Sequence, residues 1–376
     1  MSGIALVARS ATIFAANGDL DEEAMRAFLQ RFVDANLTIY LGSGGSGEGC
    51  SLTLDELSRV YRLGVEVGKG KVQIGSNQPD QHTARDSIFH ARLAMAAGVD
   101  IVQLYGPAAW HGYAASEREY SAYFDRCLDA IDYPVSISPN PTVGFAAKPK
   151  LIADICNRHQ QITTVNLTGI SGDGYFIALK EALDREVEIN AEMAGAFSIL
   201  QMGGGLNVVG ANFIPKSYRL FADLFEAGDY AAMGKVYTDI RRVTAYCDQW
   251  VKASSPRVHK MAIRAFKLPG WEGGVREPHM MYDDAEIERF RGLSGGAMSE
   301  TILVVRAATP FARDGSLDEE ATRRYLQRFV DSKIGLSLAS GGSGEGHALT
   351  RDEIRRVYEI GVEVGKGKVI VHSNQP

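Results

Sequence analysis

Short apolar runs alternate with amphipathic helical stretches along residues 1–270. Residues 101–105 are typical of a buried strand, and the face formed by Met25, Phe28 and Leu29 is typical of a helix that packs on a sheet. The predicted strands are 4–7, 37–41, 72–75, 101–105, 134–138, 163–167, 187–191 and 206–210. Since eight β/α pairs follow one another, the pattern predicts an α/β fold, a closed (β/α)8 TIM barrel.

The chain continues beyond the predicted barrel and then repeats itself. Residues from Tyr218 to about Leu293 have a helical pattern and predict a C-terminal helical appendage. Ser2 to Pro79 align without a gap onto Ser299 to Pro376, with roughly five of every eight positions identical. We expect two domains, a barrel with its helices in residues 1–297 and a truncated second copy of the barrel N-terminus in 298–376.

Three strands and two helices cannot close an eight-stranded barrel. We therefore expect residues 298–376 to be loosely packed, to pair with another chain, or to exchange with residues 1–79.

Composition narrows the class of protein. The 376 residues are 45% hydrophobic and 23% charged, which is typical of a globular protein with a sizeable core. A net charge of -6 disfavours nucleic acid and anionic membranes as partners. The four cysteines have no metal-ligand spacing, so we expect a cytoplasmic protein with reduced thiols and no metal or other cofactor.

A glycine-serine loop, Gly42 to Gly49, separates the second strand from the next helix. Glycines let several N–H groups point into one concavity, which suits a carboxylate or a phosphate. The loop also fits the dinucleotide pattern G-x-G-x-x-G, but the next helix begins only near Thr53. We favour an anion-binding loop over a dinucleotide site, and a purely structural turn is the other alternative.

Catalytic groups of such barrels lie at the C-terminal ends of the strands. The predicted mouth is formed by Arg9, the glycine-serine loop, Ser76 to Gln78, Tyr105, Ser138, Asn140, Thr168, Glu192 and Asn212. His111 follows strand four on a predicted mouth loop and is suited to acid/base chemistry, although a solvated histidine is the alternative. Glu192 is the other candidate base, and a salt bridge at the rim is its alternative.

Several short motifs, in order, resemble the dihydrodipicolinate synthase / N-acetylneuraminate lyase family. They are Thr12-Ile13-Phe14, Gly44-Gly45-Ser46-Gly47-Glu48, Ser171-Gly172-Asp173 and Lys267-Leu268-Pro269-Gly270. The resemblance implies a barrel, often oligomeric, that binds a 2-oxo acid as a Schiff base on a lysine of strand six. It also implies that Gly45 and Ser46 bind the substrate carboxylate, that Thr12 belongs to the same site, and that Glu48 braces the loop.

The departures from that pattern concern the chemistry. By the resemblance, the Schiff-base lysine belongs at position 168, where this chain has Thr168, and a tyrosine belongs near Ser138. A carboxylate-binding arginine after strand five is replaced by Thr142 and Val143. Neither threonine nor serine can form an imine.

We therefore expect a lyase-like or hydratase-like protein that acts on a small 2-oxo acid or related carboxylate without an imine. The expected catalytic residues are Thr168, Ser138, His111 and Glu192, and the expected substrate-binding residues are Gly45, Ser46, Thr12, Tyr105, Asn140 and Asn212. A homo-oligomer, either a dimer or a tetramer, is expected. The alternative is a non-catalytic carboxylate-binding pseudoenzyme that assembles with an active paralogue.

Overall fold

The computed structural model describes residues 3–109, 111, 115–251, 255–293 and 304–373. The chain forms two compact units, Met1–Gly296 and Ala297–Pro376. No helix within the described ranges is both long and apolar enough to cross a lipid bilayer.

The first unit contains a closed barrel of eight parallel strands, which confirms the predicted fold. The strands are β1 (Leu6–Arg9), β2 (Thr38–Leu41), β3 (Ile74–Ser76), β4 (Ile101–Tyr105), β5 (Val135–Ser138), β6 (Ile162–Asn166), β7 (Glu188–Glu192) and β8 (Gly205–Asn207). Each strand pairs with the next along the chain, and β1 closes the barrel on β8 through Leu6↔Leu206 and Val7↔Asn207.

Helices follow the strands and cover the barrel. The barrel helices are α1 (Glu22–Asp34), α2 (Leu54–Gly68), α3 (Ala84–Ala97), α4 (Glu117–Asp129), α5 (Pro149–Arg158), α6 (Gly174–Ala182), α7 (Ala196–Gln201) and α8 (Pro215–Glu226). The helical appendage begins later than the expected Tyr218, which lies in α8 and packs in the barrel core, and it consists of α9 (Tyr230–Val251), α10 (Ser255–Ala265) and α11 (Asp284–Leu293).

Local sequence fixes where several helices begin. Thr53 and Ser116 each form a capping box with a glutamate three residues later, and Asp21 accepts a hydrogen bond from the Ala24 amide. Gly98 adopts the left-handed conformation that ends α3. The cap at Thr53 explains why the start of α2 could be predicted to within a residue.

Side chains of the barrel strands divide between two environments. Leu6, Ala8 and Leu41 belong to the large core between the sheet and the helices. Val7, Tyr40 and Ile101 form a small separate cluster, which identifies the inward-facing register of β1, β2 and β4. Because alternate residues share a face, Arg9, Gln103 and Tyr105 also point into the barrel.

Most strand boundaries differ from the prediction by one or two residues, and the C-terminal ends of β1 and β8 differ by two and three. β1 ends at Arg9 rather than Val7, and β8 ends at Asn207 and is followed by a short 3-10 helix, Val209–Asn212. The Asn212 side chain donates to the carbonyls of Arg9 and Val209, at 2.8 Å and 3.0 Å. These bonds hold the 3-10 helix against the end of β1, so the chain turns where apolar periodicity alone suggested a longer strand.

The second unit has a smaller sheet of its own. It contains β9 (Val304–Arg306), α12 (Glu319–Asp331), β10 (Gly335–Leu338), α13 (Arg351–Gly365) and β11 (Val371–Ser373). The strand order is β11-β10-β9, with parallel pairing. Its core includes Leu326, Leu336, Leu338 and Ile360, whereas β9 and β11 contain no fully buried residue.

Candidate functional site

The glycine-serine loop closes on itself at the C-terminal end of β2. The Ser43 hydroxyl accepts from the Gly47 amide at 3.0 Å, and the Ser43 carbonyl accepts from the Gly49 amide at 2.8 Å. The amides of Gly44, Gly45 and Ser46, and the Ser46 hydroxyl, make no hydrogen bond to any described residue. These donors form the type of concavity that binds an anion.

Glycine is required at the closing points of this loop. A Cβ on Gly49 would lie 2.1 Å from the Gly42 carbonyl oxygen, and one on Gly47 would lie 2.8 Å from the Ser43 nitrogen. Both neighbours are backbone atoms that cannot move without opening the loop. The helix that follows begins at Leu54, so the loop does not lead directly into a helix as a dinucleotide-binding turn does.

Residues from other parts of the chain make buried contacts that hold the loop. The Thr12 hydroxyl donates to the Gly47 carbonyl at 2.6 Å. One oxygen of Glu48, Oε2, accepts from the Arg276 amide at 2.9 Å, and the other, Oε1, lies 3.3 Å from the Lys260 ammonium. Glu48 therefore makes the bracing contacts that the family resemblance implies, and Thr12 acts on the loop backbone.

The Lys260 amine is engaged on several sides. It donates to the Gly274 carbonyl at 2.8 Å and lies 4.5 Å from the centre of the Phe14 ring, with the Arg276 guanidinium 4.3 Å from the same ring. Burial lowers the pKa of Lys260 to about 8, although Glu48 acts in the opposite direction. This lysine joins α10 to the loop and was not identified from the sequence.

Thr168 lies two residues beyond the end of β6. Its hydroxyl is buried and has no hydrogen-bond partner, while its amide donates to the Asn166 carbonyl at 3.0 Å. Oε1 of Glu192 accepts from the amide of Gly169, the next residue, at 2.6 Å. The structure therefore brings Thr168 and Glu192 together at the ends of β6 and β7.

The C-terminal ends of β4 and β5, and the loop after β5, approach Thr168. The Ser138 hydroxyl donates to the Asn166 carbonyl at 2.7 Å, and Ser138 pairs in register with Tyr105. A Cβ on Gly169 would lie 2.8 Å from the Asn140 side-chain oxygen, so the loops after β5 and β6 touch. Ser138 and Asn140 both lie near Thr168.

Amide side chains connect the inside of the barrel from strand to strand. The Asn166 amide donates to the Gln103 oxygen at 2.7 Å, and the Asn190 amide donates to the Asn166 oxygen at 3.1 Å. Asn77 accepts from Gln103 and from the Tyr105 hydroxyl. Tyr105 thus belongs to a polar interior that extends below Thr168.

Arg9 also belongs to this interior, at 4% exposure. It donates to the side-chain oxygen of Asn207 at 3.0 Å and to that of Gln103 at 3.5 Å. The sequence signal was a single charged residue, Arg9, directly after an apolar run. That signal placed Arg9 at the predicted mouth but did not show that its charge would be buried inside the barrel.

Asn212 and His111, two more of the expected site residues, differ in burial. Asn212 is fully buried, and its oxygen accepts from the Ala11 amide at 2.8 Å while its amide donates to backbone carbonyls. Its polar atoms are therefore committed to the main chain. His111 is an exposed turn residue with a φ of 47°, and its role as an acid or base remains a prediction.

Two residues beside the loop were missed. Asp80 is an exposed residue, but its Oδ1 would lie 3.4 Å from a Cβ on Gly44, and desolvation raises its pKa. The Ser255 hydroxyl at the start of α10 would lie 3.9 Å from a Cβ on Gly45. Only tertiary structure brings these distant segments to the loop.

The described residues contain no group of three potential His, Cys, Asp or Glu metal ligands.

Comparison with known proteins identifies the family. The model of the dihydrodipicolinate synthetase family matches residues 4–291 and again residues 300–375. The chain belongs to this family. The second match covers the segment that aligns with the start of the barrel.

Curated proteins similar to this chain include a named synthase and an uncharacterised lyase. A 4-hydroxy-tetrahydrodipicolinate synthase of Hyphomonas neptunium is 29% identical over 290 residues, covering 74% of this chain and 94% of the relative. An uncharacterised DapA-like lyase of Rhizobium meliloti is 23% identical over 286 residues, covering 74% and 91%. The chain is thus a lyase-like member of the family.

Solved structures of family members share the fold. Dihydrodipicolinate synthase of Bacillus anthracis superposes with a TM-score of 0.69 at 19% identity, covering 80% of this chain and 100% of that one. YagE of E. coli K12, a prophage protein solved in complex with pyruvate, gives 0.68 at 20% identity, covering 78% and 98%. Sialic acid aldolase of Ruminococcus gnavus gives 0.65 at 16% identity, covering 78% and 96%.

Proposed function

We propose that this protein is a dihydrodipicolinate synthase-family lyase-like or hydratase-like catalyst that acts on a small 2-oxo acid or related carboxylate without a lysine imine. One observation carries the proposal. None of the eight strands of the barrel contains a lysine, and Thr168, two residues beyond β6, stands where the family resemblance implies the Schiff-base lysine. An imine requires an amine nucleophile, which these strands do not supply.

The loop would bind the substrate carboxylate. Three unengaged amides, those of Gly44, Gly45 and Ser46, and the Ser46 hydroxyl are available as donors. The two buried bracing contacts from Thr12 and Glu48 support a loop held in one geometry, which lowers the entropy lost when a ligand binds.

The chemistry would use acid/base groups near Thr168. The unpaired Thr168 hydroxyl offers a donor to a substrate oxygen, whereas the single O–H of Ser138 is donated to the Asn166 carbonyl, which leaves the Ser138 oxygen as an acceptor. The Glu192 carboxylate lies on the adjacent amide and could accept a proton, and His111 is the second proposed acid or base. Proton transfer and oxyanion stabilisation are the contributions open to such a set.

The names of similar proteins support the substrate class. YagE was solved with pyruvate, a 2-oxo acid, and the curated relatives include synthases and a lyase. We also propose a homo-oligomer, a dimer or tetramer, as the family resemblance implies, and a cytoplasmic location, on the basis of the widely spaced cysteines. We also propose a domain boundary at residue 297, with 298–376 derived from a second copy of the barrel N-terminus.

A second candidate function is carboxylate binding without catalysis. Two of the expected catalytic side chains already make hydrogen bonds to the backbone, which favours a role in holding the site over a role in proton transfer. Ser138 already donates to the Asn166 carbonyl, and Glu192 already accepts from the Gly169 amide. Turnover of 2-oxo acids by the purified protein, lost in Glu192→Gln but with ligand binding retained, would exclude this alternative.

Borohydride trapping tests the imine-free proposal. The protein is incubated with pyruvate, reduced, and weighed intact by mass spectrometry. We expect no adduct in the natural sequence and an adduct in Thr168→Lys, which restores an amine at the strand-six position. A lysine-bearing relative serves as the positive control.

Lys260 is the amine whose reaction with a 2-oxo acid would contradict the proposal of catalysis without an imine. Its pKa of about 8 leaves part of the population unprotonated near neutral pH, although the side chain is buried and bound to Glu48. A reduced adduct mapped to Lys260, and absent in Lys260→Met, would show that imine chemistry has moved to α10.

A further inference from the structure

Arg9 is a buried cation inside the barrel. It is the last residue of β1 and shares its face with Val7, which packs in the interior with Tyr40 and Ile101. Only 4% of the residue is exposed. A guanidinium group keeps its proton under all physiological conditions, so the barrel encloses a permanent positive charge.

This charge has only neutral partners. Nη1 donates to the Asn207 oxygen at 3.0 Å, Nη2 reaches the Gln103 oxygen at 3.5 Å, and Nε has no partner. No carboxylate among the described residues forms an ion pair with Arg9. A buried charge without a counter-ion is unfavourable, so the arrangement favours an anion that arrives from outside the chain.

The charge lies close to the candidate reaction centre. Asn207, which accepts from Arg9, donates to the carbonyl of Leu167, the residue before Thr168, at 3.4 Å. Gln103, the other acceptor, also accepts from Asn166 at the end of β6. The guanidinium is therefore connected, through the Asn207 side chain on one side and the Gln103 side chain on the other, to the segment Asn166–Leu167 that leads from β6 to Thr168.

The charge is also distinct from the loop donors. The amides of Gly44 to Ser46 follow β2, whereas Arg9 acts from β1 across the interior towards β4 and β8. A substrate with one carboxylate would satisfy the loop and leave Arg9 with neutral acceptors. A substrate with two carboxylates would satisfy both.

We propose that Arg9 binds a second carboxylate of the substrate, so that the protein takes dicarboxylic 2-oxo acids in preference to monocarboxylic ones. This inference rests on the proposed function, because it assigns the first carboxylate to the loop. On binding, the incoming carboxylate replaces the neutral amide oxygens as the acceptor of the Arg9 protons, and a charge-assisted pair forms.

A matched pair of ligands tests the inference. 2-Oxoglutarate and 2-oxopentanoate share a five-carbon chain and differ in one terminal carboxylate. Binding to the full chain is measured by isothermal titration calorimetry. We expect 2-oxoglutarate to bind on the order of tenfold to a hundredfold more tightly, the range for a hydrogen bond to a charged group.

The variant Arg9→Met removes the charge and keeps an unbranched side chain. We expect it to bind the two ligands equally, with its affinity for 2-oxopentanoate unchanged. Without ligand, its melting temperature should equal or exceed that of the natural sequence, because an uncompensated buried charge has been removed. Arg62→Met, at an exposed position of α2, is the matched control and should keep the preference.

The remaining outcomes each decide the question. If Arg9→Met still prefers 2-oxoglutarate, or the natural sequence binds both ligands equally, the inference is wrong and the proposed function stands. If the natural sequence binds neither ligand, the inference and the proposed function are both wrong. If Arg9→Met does not fold, Arg9→Lys replaces it: the retained charge should retain the preference, and its loss would overturn the inference.

Discussion

The contact between Lys260 and Glu48 offers a quantitative test of how the loop is held. The two charged groups are 3.3 Å apart, and their side chains are 3% and 0% exposed. Removing one member of such a buried pair leaves a charge without its partner, which reduces stability by about 3–5 kcal/mol. Lys260→Met and Glu48→Gln should each lower the free energy of unfolding by an amount within or near this range.

The double variant should be less damaging than the sum of the two single ones. With both charges gone, neither is left unpaired, so a coupling energy of about 1–3 kcal/mol is expected between the two positions. Urea denaturation followed by fluorescence and circular dichroism supplies the four free energies of the cycle. Arg59→Met, which breaks the exposed contact with Glu22, is the control and should have little effect.

The coupling should also depend on pH. Because the pKa of Lys260 is about 8, the ammonium is largely charged at pH 7 and largely neutral at pH 9.5. The coupling energy should therefore fall as the pH rises through about 8. Single variants that lose less than about 1 kcal/mol, or strictly additive effects, would refute the view that this pair holds the loop.

Other contacts give further predictions. Arg276 makes a two-point contact with Glu56, at 2.6 Å and 2.8 Å, and lowers its pKa to about 2. Glu56→Gln should therefore reduce stability at pH 7, and the difference should vanish as the pH falls from about 4.5 to 2, as followed by thermal melts; a difference that persists at pH 2 would contradict this cause. Gly49→Ala should lower the melting temperature and weaken carboxylate binding because of the 2.1 Å approach, whereas Gly174→Ala, with no atom within 4 Å, should not. Amide hydrogen exchange should be faster in β9 and β11 than in β1, since only β1 is fully buried; equal protection would disprove this.

The course of the barrel could be predicted from the chain because its signals are local. Strand β4 has the predicted bounds, and the helix expected to begin near Thr53 begins at Leu54, directly after a capping box formed by Thr53. Apolar periodicity, caps and turn glycines act over a few residues, so they can be read without knowledge of the fold. Strand ends were less certain, since a long-range contact such as that of Asn212 with Arg9 determines where β1 and β8 stop.

Some residues of the candidate site could be predicted from local sequence, and others depend on long-range contacts. The loop glycines, Thr168 and Glu192 could be named from their positions after predicted strands, and the structure places Glu192 on the amide beside Thr168. Lys260 could not be named, because it acts from a helix more than two hundred residues after the loop that it contacts.

The sequence by itself determined the order of strands and helices, the position of the glycine-serine loop after β2 and the absence of lysine from the barrel strands. Only the tertiary structure decided the partners of the buried polar groups. Arg9 is buried with neutral amides, Glu48 is buried with Lys260, and the buried Thr168 hydroxyl has no hydrogen-bond partner. The reason is physical. Periodicity reports which face of an element is apolar, whereas the partner of a buried charge depends on which strands and helices meet in space.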